Sequence, residues 1–230
     1  MDDSSTRPRR GRPARISRKR IVDAARGLSA DAITMQAVAQ VLGVERQSLS
    51  YHVRDRDELL GLVAASELVD RARTLIEEPP DRDWRASSRA FAAGVRAAAI
   101  ATGMLSLHLR PNAVEAPELF LPAENVMAAF FDAGLDERTA VAAVNTLLEL
   151  AIGAGRNAIN AESGGREATA SIERDILAQR DERLPALRRA AAAHLRLDPD
   201  EQFAFDLDVL LLGIGALVAR SAGGGGGAPA

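Results

Sequence analysis

The densest run of side chains able to read another molecule lies between residues 46 and 56. Arg46, Gln47, Ser48, Ser50, Tyr51 and His52 follow one another with only Leu49 interrupting. Guanidinium, amide, hydroxyl and imidazole groups hydrogen-bond base edges and phosphates, and an aromatic ring packs against thymine methyls. Leu49 and Val53 are four apart and mark the buried side of one short helix. Ala39 and Gly43 stand before this segment with the offsets of two helices crossing at a tight turn, a helix-turn-helix. That arrangement offers the second helix to the major groove of duplex DNA. The competing reading is a solvated polar face on an all-helical protein-interaction module without specific DNA binding.

Other chemistry is thinly represented. The chain has no cysteine, and its three histidines (His52, His108, His194) lack ligand spacing, so no metal site is expected. The glycine-rich stretches, Gly164-Gly165 and Gly223–Gly227, do not lead into a helix bearing Lys and Ser/Thr as a phosphate loop requires. Carboxylates interspersed with arginines read as surface pairs four residues apart rather than as acid–base machinery. No enzyme and no cofactor is expected. Arg10-Gly11-Arg12-Pro13 is different: glycine and proline keep it extended, so Arg10 and Arg12 suit a narrow A·T minor groove.

The elements that must hold these residues are helices. Ile21, Ala24, Ala25 and Leu28 repeat with helical spacing behind an N-cap at Ser17. Thr34 caps a helix that Gly43 stops at Leu42, and a recognition helix follows over roughly Glu45–His52. A longer helix runs from Asp55 or Asp57 to about Glu78, ended by Pro79-Pro80, and Asp83 caps the next one to about Thr102. Further helices are expected near 123–133, 136–160, 172–194 with a break at Pro185, and 199–221. The prediction is an all-α chain of nine or ten helices. A disordered basic arm (1–14) precedes a three-helix DNA-binding domain (15–60). A larger ligand-binding and dimerisation domain (61–221) and a flexible glycine-rich tail (222–230) complete it.

Two late helices are apolar on more than one side. Phe203, Leu207, Leu210, Ile214 and Leu217 form one stripe, and Phe205, Val209, Leu212, Ala216 and Ala219 form a second with the same spacing. Val141, Val144, Leu148, Ala151, Gly155 and Ile159 form a comparable stripe earlier. A helix apolar on two sides is buried on two sides, so a four-helix seam between two copies is expected. The first stripe and the Val141–Gly155 set are assigned to that homodimer interface.

Composition frames these readings. The 230 residues carry a net charge of −3, which conceals 12 Lys/Arg against 8 Asp/Glu in residues 1–60 and 17 against 24 beyond. A basic front on an acidic body suits a polyanion bound at one end. The strongly apolar stretch Val209–Ala219 falls short of the ~20 residues of a membrane span, and no apolar leader follows the first arginines. A cytoplasmic protein without membrane contact is expected.

The segment Arg15–Leu60, with RISRKRIVDAARGLSA, TMQAVAQVLGVERQSLSYHV and RDRDELL, resembles the DNA-binding domain of the TetR (tetracycline repressor) family of transcriptional regulators. ERLPALRRA and DEQFAFDLDVLLLGI resemble the family's last helices more weakly. The resemblance implies a phosphate bond from Thr34, a groove-edge position for Gln36, and base contacts from Arg46, Gln47 and Ser48. It places Tyr51 at a larger aromatic, His52 at a phosphate-contacting histidine and Arg56 at a backbone-contacting lysine. Ser50 replaces a tyrosine, shortening that contact, and the Ser29–Ile33 connection lacks several residues. It implies a repressor that binds a palindromic operator as a homodimer and is released by a small molecule.

Candidate liners of an effector cavity are Trp84, Phe91, Met104, His108, Asn112, Met127, Phe130, Phe131, Asn145 and Asn157, apolar with a few polar handles. Counting back from Arg110-Pro111, the family's metal-binding histidine falls at Ser106, with His108 two residues off. That departure points away from magnesium-tetracycline, and the inducer is unspecified. Deletion of residues 1–14 is expected to reduce the salt dependence of DNA binding and to weaken A·T-flanked sites most. Titrations of flank variants at several salt concentrations check this; an unchanged flank preference rejects minor-groove entry.

Overall fold

The computed structural model describes residues 16–77, 79, 81–109, 121–162, 171, 174–178, 184–192 and 198–224. Among them are nine α-helices and two 3₁₀ segments. The arm with Arg10 and Arg12, residues Arg110 to Asn112, His194 and the tail beyond Gly224 lie outside the described residues. The chain divides into two compact units between Val63 and Ala64.

In the first unit, α1 (Arg18–Arg26), α2 (Met35–Leu42) and α3 (Arg46–Leu49) precede α4 (Arg56–Leu75), which continues into the second unit. Ser17 caps α1 by accepting the Arg20 N–H, and Thr34 caps α2 by accepting that of Ala37. Gly43 ends α2 in the left-handed region, at φ 65° and ψ 38°. The Gly43 and Val44 N–H groups turn back onto the Gln40 and Ala39 carbonyls, satisfying the helix end. α1 packs on α2 and α2 on α3. Ile21, Val38, Leu49, Val53 and Leu59 are buried, so the core is aliphatic.

The second unit contains α5 (Trp84–Thr102), α6 (Leu121–Asp132), α7 (Glu137–Asn160), α8 (Pro185–Ala192) and α9 (Pro199–Gly224). Asp83 caps α5 through the Ala86 N–H, and Asp136 caps α7 through that of Thr139. The Thr139 hydroxyl and N–H hold the Asp136 carboxyl below its ordinary pKa. α5 packs on α6 and α7, and α9 lies chiefly on α7. Trp84, Phe91, Val126, Phe130, Leu147, Leu207, Leu211 and Ile214 form the centre of its core.

Three local readings change. The recognition helix is four residues long, not eight, because its last turns tighten to bonds between residues three apart, such as Ser50 N–H to Gln47 carbonyl. The α4 helix stops at Leu75, and its successor α5 is followed by a 3₁₀ segment, Gly103–His108. Arg156 on α7 pins that segment, donating to the Ser106 and Leu109 carbonyls. By length and composition, two stretches are long and apolar enough to cross a membrane, Trp84–His108 and Pro199–Gly223. The first is more covered by its own unit than the second.

Small residues set the crossings. A Cβ on Gly155 would stand 2.7 Å from the Ala99 Cβ and 3.2 Å from the Arg96 carbonyl, so α7 meets α5 there. A Cβ on Gly94 would lie 2.8 Å from Ile76 Cα and 2.9 Å from its nitrogen, which are backbone atoms with little freedom to move. Gly94→Ala is therefore expected to destabilise by about 1–3 kcal/mol through overpacking. Gly153→Ala, on the same helix as Gly155 but with nothing within 4 Å, is expected to stabilise by up to about 1 kcal/mol. Thermal unfolding of the two variants compares them directly.

Candidate DNA-reading surface and body helices

The reading face is assembled by the turn at Gly43. With α2 ended there, α3 starts three residues later, and Leu49 at its end and Val53 just beyond it are buried, both about 1% exposed or less. Arg46, Gln47, Ser48 and Ser50 are then exposed together, and Tyr51 is 90% exposed. His52 is half-buried with its ring edge-on to Tyr51, the centroids 5.1 Å apart. Gln36 is exposed on the first turn of α2. Thr34 is exposed too; its oxygen accepts from Ala37, leaving its hydroxyl proton to donate. Arg56 Nε donates to the Ile33 carbonyl at 2.8 Å, bringing the α4 start beside Thr34. All nine of these expected contacts except the half-buried His52 are exposed, and all lie in the first unit.

The end of this face is fastened by residues that pattern reading missed. Arg18 Nε donates to the His52 carbonyl at 3.1 Å, while its Nη2 pairs with Glu58 Oε1 at 2.6 Å. Glu58 Oε2 accepts the Arg54 N–H at 2.7 Å, and the Glu58 N–H donates to Asp55 at 2.8 Å. That backbone bond, then the Arg54 side chain, lowers the Asp55 pKa. The spacing Asp55-x-x-Glu58 is a capping signature that could have flagged Glu58. Nothing local flags Arg18, forty residues away.

The second unit redistributes the stripes. Leu207 and Ile214 are buried within the protomer, and Phe203, Leu210 and Leu217 pack partly buried against the same core. Val144, Ala151 and Gly155 are also internal, and Leu148 is partly so. Of the residues assigned to the partner seam, only Val141 is exposed. The other α9 stripe is the uncovered one: Phe205 is 59%, Val209 53% and Leu212 73% exposed. Beside it on α7, Val141, Ala142, Asn145 and Thr146 are exposed. Between α7 and α9 runs an apolar groove of about 600 Å³, lined by Thr139, Ala142, Thr146, Val209, Gly213 and Leu217 among others.

Ion pairs lock α9 along its inner flank. Arg89 meets Asp208 at 2.7 Å, and Arg96 pairs with Asp200 while stacking 5.0 Å from the centre of the Phe203 ring. Arg85 lies over Trp84, and a Cβ on Gly215 would meet that guanidinium at 2.9 Å. Phe203 is thus held by α5 rather than offered outward.

The expected cavity liners are not gathered at one place. Trp84, Phe91 and Met127 belong to the core cluster with Phe130, the Trp84 and Phe130 rings 6.1 Å apart. Met104, Phe131, Asn145 and Asn157 are exposed, His108 is half-buried, and Asn112 lies outside the described residues. Apolar core and apolar pocket draw on the same residue types, so composition alone cannot separate them. A different group stands out: Ser106 is fully buried, and its hydroxyl has no hydrogen-bond partner among the described residues.

The sequence model described as "Tetracyclin repressor-like, C-terminal domain" matches residues 77–218. Comparison with curated proteins gives no match. Among solved structures, apo ActR of Streptomyces coelicolor is similar at 24% identity and TM-score 0.68, covering 90% of this chain and 99% of its own. ActR in complex with actinorhodin is similar at 22% identity and TM-score 0.67, covering 87% and 96%. A TetR transcriptional regulator of the same organism, SCO7222, is similar at 24% identity and TM-score 0.59, covering 88% and 99%.

Arg46 is the first residue of α3 and is exposed, as the base contact expected of it requires. Arg46→Ala is expected to weaken the preferred duplex by about 1–3 kcal/mol and to relax preference at one position. Binding titrations against single-base variants measure this. Equal losses on preferred and random duplexes would make Arg46 a phosphate contact instead.

Proposed function

The chain belongs to the tetracycline-repressor-like (TetR) family of regulators, and from that premise we propose that it is a homodimeric transcriptional repressor of the cytoplasm. It binds a palindromic operator and is released by a small molecule. The observation that carries this reading is the exposed polar run from Arg46 to Tyr51 beyond the Gly43 turn. An aromatic ring 90% in water, set among hydrogen-bonding side chains, is placed for a partner rather than for folding.

A second copy supplies the cover for α9. Phe205, Val209 and Leu212 form a row beside a groove that is itself apolar, and a row and groove on one face are self-complementary under two-fold symmetry. The Gly213 position is open, with nothing within 4 Å of a built Cβ, leaving room for a partner's side chain.

Release follows from shape. Two recognition helices enter successive major grooves only when about 34–36 Å apart. Helix α4 is continuous for 20 residues from Arg56 beside the reading face to Leu75, so it is the covalent lever available to the body. An effector that favours the off-spacing conformer shifts the population by no more than its differential affinity. The actinorhodin complex of ActR supports a small-molecule effector, and the buried Ser106 hydroxyl, without a hydrogen-bond partner among the described residues, is a group that such a molecule could satisfy. No enzymatic role is assigned.

The test is selection of duplex sites by the full-length protein, with sedimentation of the free protein alongside. A palindrome should emerge for the wild type, bound with steep salt dependence. Leu212→Glu should sediment as a monomer and lose the palindrome. Selection of no sequence by the wild type would instead favour an interaction module.

A further inference from the structure

We propose that Arg18 and Glu58 are positioning residues that set operator specificity without contacting DNA, by clamping the end of the recognition turn. This rests on the DNA-reading function. With only four residues, α3 has few internal bonds to hold its own orientation, and the turn that carries the chain from it to α4 passes through His52. The His52 carbonyl accepts from Arg18 Nε at 3.1 Å. The same guanidinium is fixed by Glu58, whose second oxygen holds the Arg54 N–H. Residues 52 to 54 are therefore gripped from α1 on one side and α4 on the other.

The grip reaches the reading face through neighbours. His52 carries the carbonyl in question and touches the Tyr51 ring, so a shift of residue 52 displaces the most exposed side chain of the surface. The pair is partly buried, the two side chains 31% and 26% exposed, so salt screens it less than a surface pair. Arginine is required by the geometry. One planar fork bonds a carbonyl and a carboxylate at once, whereas an ammonium is a single point.

Glu58→Gln separates positioning from charge. Arg18 and the Arg54 N–H meet different oxygens of Glu58, and the amide puts a donor NH2 at one of those two positions. The substitution also removes a negative charge, so electrostatics alone would tighten binding to every duplex. The experiment measures the affinity of the full chain for its selected site and for a random duplex, at one salt concentration. Thermal unfolding and amide exchange at His52 and Val53 are followed in parallel.

Positioning predicts selected-site affinity about tenfold weaker, random-duplex affinity unchanged or tighter, and faster exchange at these two amides. Arg18→Lys, which keeps the charge, should lose selected-site affinity similarly. Equal or tighter binding of the selected site by Glu58→Gln overturns the inference. So does a parallel loss on both duplexes that tracks a lower melting temperature, since the pair would then only hold the fold. A wild type that selects no site overturns the repressor reading and this inference together; a selective wild type with an unaffected variant overturns this inference alone.

Discussion

A single left-handed residue carries the reading surface. Gly43 sits at φ 65°, where a side chain would strain the backbone, and it turns the chain so that α3 leaves α2 at once. The exposed polar face of the first unit depends on that exit. Leu49 and Val53 reach the aliphatic core only from that angle, and burying them leaves Arg46, Gln47, Ser48, Ser50 and Tyr51 no inward alternative. Thr34 and Arg56 are then drawn to one locality by the bond from Arg56 to the Ile33 carbonyl.

The second unit solves a different problem with few aromatics. Aromatic residues make up 3% of the chain, and the core of this unit concentrates Trp84, Phe91 and Phe130. Around them, small residues let helices approach closely, as Gly155 does against Ala99. Arginines on α5 hold α9 by its acidic side, at Asp200 and Asp208. With that flank and the Leu207–Ile214 side both engaged, Phe205, Val209 and Leu212 remain uncovered.

What could be read from the sequence was local. Ser17, Thr34 and Asp83 cap their helices and Gly43 ends another because each device needs only neighbours a few residues away. The helical class and the exposed recognition residues followed from period and polarity. The choice between the two α9 stripes did not, since both repeat at the same spacing; the inward one is flanked by Asp200 and Asp208, which pair with Arg96 and Arg89 of α5 across more than a hundred residues. Trp84 and Phe91 stand in the core cluster, and composition alone does not separate core from cavity lining. The Arg18 to Glu58 bond spans forty residues and leaves no periodic trace.

The central claim is that two copies of this surface read one duplex at a fixed separation. Affinity measured against half-site spacing tests it most directly, using the selected site with base pairs inserted at its centre. The account predicts a sharp maximum at one spacing. Insertion of about five base pairs should then cost most of the specific affinity, because it turns one half-site to the opposite face of the DNA. Affinity independent of that insertion would contradict it.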